Sequence, residues 1–192
     1  MQGKKLSSKF YQRSALKVAP DLLGKYLVYG KKAAKIVEAE AYVGQNDLAC
    51  HASKGKTKRN QAMFLEGGHT YIYLIYGIYY CLNIVTGRKD NPEAVLIRAL
   101  EQENCDGPGK LCREFGLNRL HNGLDISTPL NINPEHGRGI DLRKDPIYIE
   151  DRGEKIPKNK IIKTARIGVE YAKNYAKKPW RFLIKDSLHP RK

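Results

Sequence analysis

The sequence predicts a single α+β domain, a curved, mostly antiparallel β-sheet with peripheral helices and a protruding β-hairpin. Three observations lead there. Segments with strand-like patterning outnumber helical ones. Most connections are too short for the helical crossovers that parallel strands need. Neither a repeat nor a low-complexity linker divides the chain, so residues 1–192 are read as one domain with a real hydrophobic core.

The elements follow in order. Residues 8–24 read as a helix, with Ser8 as cap, Pro20 as a first-turn residue and Gly24 as the stop. Tyr26–Tyr29 and Ala33–Val43 read as strands joined at Gly30. Gln45–Arg59 is polar, a loop with a short helix, ending in the basic run Lys54-Gly-Lys-Thr-Lys-Arg59. Thr70–Tyr76 and Tyr79–Val85 form the hairpin, since Gly77 supplies the permissive backbone of a reversal. Ala94–Leu100 is a further strand with Arg98 embedded in it. Gly107–Gly116 is a Gly/Pro loop feeding a short helix. Residues 118–160 are loop-rich with one strand at Ile147–Glu150. A short helix near Val169–Lys177 and a strand at Arg181–Ile184 close the chain.

Charge narrows the partners. The formal net charge is +15, from 35 Lys and Arg against 20 Asp and Glu, which implies a polyanion, nucleic acid first. Residues 151–192 carry 13 basic and 4 acidic side chains, so much of the excess is C-terminal. The longest apolar run, around Ile72–Ile78, is broken by tyrosines and a glycine, so no membrane span is expected. Cys50, Cys81, Cys105 and Cys112 form no C-x-x-C pair and no apolar leader opens the chain, which reads as free thiols in a reducing compartment. The expected location is the cytoplasm, with the nucleoid, in a prokaryote and the nucleus in a eukaryote. Cys50 beside His51 could be a nucleophile pair or half a metal site, but neighbours on an extended chain point to opposite faces. No metal-ligand spacing occurs, and neither metal nor cofactor is expected.

Two constellations could carry chemistry. Alternation puts Glu38, Glu40 and Tyr42 on one face of a strand, the two carboxylates roughly 6.5–7 Å apart along the chain. That pair could serve a two-carboxylate hydrolase, or simply face solvent. Gly44 and His51 follow soon after Tyr42, so a carboxylate, two flat rings and a turn fall within a short stretch. The second constellation is the hairpin with Tyr71, Tyr73, Tyr76, Tyr79 and Tyr80. Tyr79 and Tyr80 read as strand formers packed on a sheet. Tyr76, at the turn, has no core to enter and reads as a wedge of the kind that kinks duplexes from the minor groove. Asn83 and Arg98 lie within apolar strands, each either paired within the core or facing a site.

Val37-Glu-Ala-Glu-Ala-Tyr-Val-Gly44, His51, Arg59-Asn60 with Met63-Phe64, Tyr71-Ile-Tyr-Leu-Ile-Tyr-Gly77, Cys81-Leu-Asn-Ile84 and Leu96-Ile-Arg-Ala-Leu-Glu101 follow in collinear order. Gly107-Pro-Gly-Lys-Leu-Cys112, Ala165-Arg-Ile-Gly168 and Lys178-Pro-Trp-Arg-Phe182 extend the series. Together these blocks resemble the alkyladenine (3-methyladenine) DNA glycosylase family of the mammalian type, over roughly residues 8–186. The resemblance implies base-excision repair. A damaged purine of the 3-methyladenine, hypoxanthine or ethenoadenine type is flipped from duplex DNA, and its N-glycosidic bond is hydrolysed to leave an abasic site. It implies Glu40 as general base, and Arg98 near the catalytic water and the extruded phosphate. Tyr42 and His51 would form one wall of the base pocket and Tyr73 the opposing wall. Asn83 would reject guanine, and Tyr76 would fill the gap in the duplex. Ile78 departs from the family pattern, as does the compact loop 86–93; Ile78 is expected to flank the wedge against DNA. Lys54, Lys56, Lys58 and Arg59 are expected on phosphates. Cleavage of the strand is not expected, on the reading that the motif blocks supply no lysine as a Schiff-base nucleophile. The implied protein is a monomer. Two rivals remain from the residues alone: a non-catalytic binder using the tyrosines as a stacking platform, and a carbohydrate hydrolase using Glu38 and Glu40.

Overall fold

The computed structural model describes residues 3–128 and 145–187. Its first elements are β1 (Lys4–Lys5), α1 (Ser8–Tyr11) and α2 (Ala15–Leu22). The single helix expected over 8–24 is thus two, broken at residues 12–14, and Pro20 lies near the end of the second. The restart has a distant cause: the Ala15 N–H donates to Glu93 Oε2 at 2.7 Å, so a carboxylate far along the chain caps α2. Ala15, Val18, Ala19 and Leu22 recur at helical spacing and are buried.

β2 (Tyr26–Tyr29) and β3 (Lys32–Val43) follow as an antiparallel pair, and three short 3-10 turns carry the chain from Gly44 to Phe64. β4 (Thr70–Ile75), β5 (Tyr79–Thr86) and β6 (Glu93–Leu100) precede α3 (Pro108–Phe115), which Pro108 opens and Gly116 ends. The last strands are β7 (Ile147–Asp151), β8 (Ile161–Thr164) and β9 (Arg181–Ile184), and the expected helix before β9 is a 3-10 turn at Glu170–Tyr175. The region 118–160, read as loop-rich, lies in part (129–144) outside the described residues.

The strands form one antiparallel sheet in the order β1-β7-β2-β3-β6-β5-β4, with β9 pairing both β3 and β8. β3 is its spine. It pairs β2 through Lys32–Lys35, β9 through Glu38–Glu40 and β6 through Ile36–Val43. The β3/β6 register slips between Ile36 and Glu38 and again between Glu38 and Ala39. Such bulges bend a strand and increase its twist, which curls the sheet. β1 and β8, missed in the sequence, are short strands with lysines whose main stabilisation is pairing with β7 and β9.

The main core packs α2 and α3 against one side of the sheet, with Leu22, Leu27, Ile36, Leu82, Ile97, Leu111 and Phe115 buried there. A smaller cluster of Cys50, Met63, Phe64, Tyr71, Val85 and Ala94 lies under Tyr42 and Tyr73. That second cluster is the foundation of the site.

Candidate active site

Neither carboxylate of the E-x-E repeat is solvated. Glu40 is 0% exposed and Glu38 2%. Buried charges need partners, and β6 and β9 supply them. Arg98 Nε donates to Glu38 Oε1 at 2.9 Å while its Nη1 lies 3.3 Å from Glu40 Oε1. Arg181 Nη1 donates to the same Glu38 oxygen at 3.3 Å. The remaining partners of Glu40 are neutral: the Ile167 N–H reaches Oε1 and the Tyr42 hydroxyl reaches Oε2, each at 2.9 Å.

Burial raises the Glu40 pKa above the ordinary carboxylate value, against the pull of Arg98, the Ile167 N–H and the Tyr42 hydroxyl. Burial works against the Arg98 charge, but Glu40 and Glu38 outweigh it and hold its pKa above the usual guanidinium value. Burial, then the Glu40 charge, puts the Tyr42 phenol well above its ordinary value, so Tyr42 stays protonated and donates.

Above this cluster opens a pocket of about 520 Å³, within the range of small-molecule sites. Tyr42, Arg98 and Ile167 line it; Glu40 lies one layer beneath, behind those three groups. His51, Tyr71, Tyr73 and Asn83 line it as well. The structure therefore brings Glu40, Tyr42, His51, Tyr73, Asn83 and Arg98 together. Asn83 and Arg98 resolve their alternatives jointly, being both paired and on the pocket. Asn83 Nδ2 donates to the carbonyls of Tyr71, at 3.1 Å, and Cys81, at 3.4 Å.

The walls differ from expectation in one respect. His51 sits edge-on to Tyr73 at 4.5 Å between ring centres, and its Nδ1 is 2.8 Å from the Tyr71 hydroxyl. His51 therefore belongs with Tyr73 and not beside Tyr42, because its ring is held by the Tyr71 and Tyr73 side chains of β4. Although the His51 residue keeps an open side towards the pocket, burial of its ring and the nearby Arg59 charge lower its pKa to about 4, so it is neutral at pH 7. Tyr42 is backed instead by Arg166, whose guanidinium carbon lies 4.7 Å from the ring centre.

β4 and β5 pair antiparallel, and the Ile78 N–H returns to the Ile75 carbonyl at 3.2 Å. Tyr76 (φ 54°) and Gly77 (φ 71°) are both left-handed, the arrangement of a type I′ turn. Tyr76 is 84% exposed while also lining the pocket mouth, and Ile78 is 68% exposed. Opposite them, α3 approaches so closely that a Cβ on Gly109 would meet the Tyr79 ring at 2.8 Å.

Lys54, Lys56, Lys58 and Arg59 flank the same face, and none of the four is buried. Arg59 ties their loop to the hairpin, donating to the Leu74 carbonyl at 3.3 Å beside the Tyr73 ring. Lys56 lies over the Phe64 ring. The reading that the motif blocks supply no lysine needs correction: two of them contain Lys110 and Lys178, and Lys110, in the first turn of α3, lines the pocket, its ammonium 2.9 Å from Asp106. Sequence reasoning also gave no role to Arg181, Asp47, Arg166 or the Ile167 N–H. Arg166 and Ile167 stand inside a recognised block, but nothing local says what they touch.

Residues 9–188 match the methylpurine-DNA glycosylase family. The chain belongs to that family. Over 95% of its length it is 42% identical to a protein of Bdellovibrio bacteriovorus, of which it covers 96%. It is 44% identical to a protein of Methanocella arvoryzae (93% of this chain, 91% of the relative) and 44% to one of Legionella pneumophila strain Corby (96% of each). Each of these relatives bears the name "Putative 3-methyladenine DNA glycosylase". As a methylpurine-DNA glycosylase the chain is a DNA-repair enzyme that hydrolyses N-glycosyl bonds and takes DNA as substrate, the polyanion its charge anticipates.

Proposed function

We propose that the enzyme flips alkylated or deaminated purines, of the 3-methyladenine, hypoxanthine and ethenoadenine type, out of duplex DNA and releases them by hydrolysis. The observation that carries this reading is Glu40, a buried carboxylate with a raised pKa directly beneath an aromatic pocket. A base inside a duplex is out of reach and must be extruded, at a cost of a few kcal/mol of unstacking. Tyr76, exposed at the turn beside the pocket, occupies the vacancy and offsets part of that cost. The extruded purine enters between Tyr42 and the His51–Tyr73 side, with Asn83 at its edge.

Cleavage of the glycosidic bond builds positive charge on the sugar. Glu40, beneath the pocket floor, stabilises that charge and takes a proton from a water admitted between Tyr42 and Arg98, whose oxygen attacks the anomeric carbon while the base leaves with the bonding electrons. A carboxylate with a raised pKa is a better proton acceptor near neutrality than an ordinary one. Arg98 fixes Glu40 and borders the pocket, where it also faces the extruded phosphate. The product is an abasic site in an uncut strand, formed with water and not Lys110 as the nucleophile. The enzyme acts as a monomer.

The test is incubation with duplexes carrying hypoxanthine or ethenoadenine, with and without alkali to cut abasic sites. Wild-type enzyme should yield breaks only after alkali, and Glu40→Gln should keep damaged-duplex binding while losing most excision. Excision near the wild-type rate in that variant would move the base elsewhere, and breaks without alkali would bring Lys110 into the chemistry.

A further inference from the structure

We infer that Arg166 and Asp47 determine how far the pocket favours neutral over cationic purines, by setting the charge behind the Tyr42 ring. The inference rests on the purine reading above. The Arg166 and Asp47 side chains are completely buried. The guanidinium is locked, donating from Nη1 to Asp47 Oδ2 at 2.5 Å and to the Ala41 carbonyl at 2.9 Å, and from Nη2 to Asp47 Oδ1 at 2.8 Å. Asp47 is fixed in turn by the N–H groups of Val43 and Ala49. The guanidinium carbon lies 4.7 Å from the Tyr42 ring centre and 5.0 Å from that of Trp180. Tyr42 lines the pocket and Arg166 does not, so the cation sits on the ring's far side.

An aromatic face attracts a cation through its quadrupole. Tyr42 already faces one cation from behind, and a second stacked on its pocket side feels that charge across the ring in a poorly screened interior. A purine made cationic by alkylation therefore stacks less well on Tyr42 than an unbacked tyrosine would allow, while a neutral purine is unaffected. Asp47 offsets the charge only in part, because the guanidinium, not the carboxylate, lies against the ring. Arg166 also directly precedes Ile167, whose N–H holds Glu40, so it needs a readout that separates selectivity from simple positioning.

That readout is the ratio of kcat/KM for 3-methyladenine in methylated duplex, a cationic nucleoside, to kcat/KM for hypoxanthine in duplex, a neutral one. Asp47→Asn keeps the guanidinium and removes its counter-charge, and should lower the ratio by roughly two- to fivefold, the size of one cation–π contact. Arg166→Met combined with Asp47→Asn removes both charges and should raise it by a similar factor. Opposite shifts in the two variants support the inference. Should the double variant not fold, the fall in Asp47→Asn decides alone. Parallel losses on both substrates with the ratio unchanged would overturn the inference, leaving the pair as scaffold. Failure of the wild-type enzyme to release either base would instead overturn the purine reading itself.

Discussion

Replacing Tyr76 with glycine should make the protein more stable and a worse enzyme, and both effects can be sized. At φ 54° the Tyr76 backbone occupies a region that costs a side-chain-bearing residue about 1–2 kcal/mol and glycine almost nothing. Glycine's extra freedom in the unfolded chain takes back about 0.5–1 kcal/mol. With the residue 84% exposed, little buried area is forfeited, so a net gain of about 0.5–1 kcal/mol remains. For a domain of this size that raises the melting temperature by about 1–4 °C. Strain of this kind persists where function over-determines it. Excision from a fully paired duplex should fall, since nothing then fills the vacated stack, and the deficit should shrink when the lesion lies in a bulge or mismatch already cheap to open. Paired melting curves and single-turnover excision on the two kinds of duplex read both effects. A melting temperature lowered by several degrees would show that the ring packs after all. An equal loss on every substrate would place Tyr76 in the pocket and not in the stack.

Two further outcomes are expected. Affinity for undamaged duplex should fall steeply with salt, and Lys54→Ala with Lys58→Ala should flatten the log–log slope by about 0.9 for each phosphate that is no longer neutralised; a wild-type slope near zero would remove DNA as the partner of this surface. Stability should drop as pH falls below about 6.5, the unfolded histidine value. His121 is buried, accepts the Asn118 N–H at Nδ1 and has its pKa lowered by burial, so the unfolded chain takes up its proton first. His51 acts in the same sense, down to about 4. Urea unfolding at pH 7 and 5 should show a smaller loss for His121→Gln than for wild type, and an identical loss would exonerate His121.

Much of the fold was legible because it rests on local signals. The alternation of β3, the Tyr76-Gly77 reversal and the Pro108/Gly116 bounds of α3 are all written within a few residues. What escaped depends on distant partners. The break between α1 and α2 is stabilised by Glu93, and β1 and β8 are held by pairing with later strands. The same division runs through the site. Glu40, Tyr42 and Arg98 stand out as polar or aromatic residues in apolar strands, but which wall His51 joins depends on the contacts its ring makes with Tyr71 and Tyr73 of β4. Lys110 stands in plain view within a recognised block, yet its reach to the pocket comes from the tight packing of Gly109 on Tyr79, which no local pattern announces.

The E-x-E repeat looks symmetric in the sequence, and the curl of the sheet breaks that symmetry. Glu38 meets two guanidiniums, Arg98 and Arg181, at one oxygen. Glu40 shares only Arg98, at the longer distance, and otherwise faces a phenol and a backbone N–H. The two carboxylates thus differ in how far arginines compensate them. One that is less compensated and fully buried is driven toward accepting a proton, which is the direction of the Glu40 pKa. Groups of one chemical kind take different roles when their environments differ. Glu38 therefore serves to hold Arg98, and through it the geometry of Glu40, while the charge beneath the pocket stays balanced by two carboxylates and two guanidiniums. A site balanced in this way does not repel DNA phosphates with bare carboxylates, yet keeps one basic oxygen pair close to where the sugar becomes positive. This argues for Glu40 over Glu38 as the base, and against a hydrolase in which the two carboxylates act as a pair.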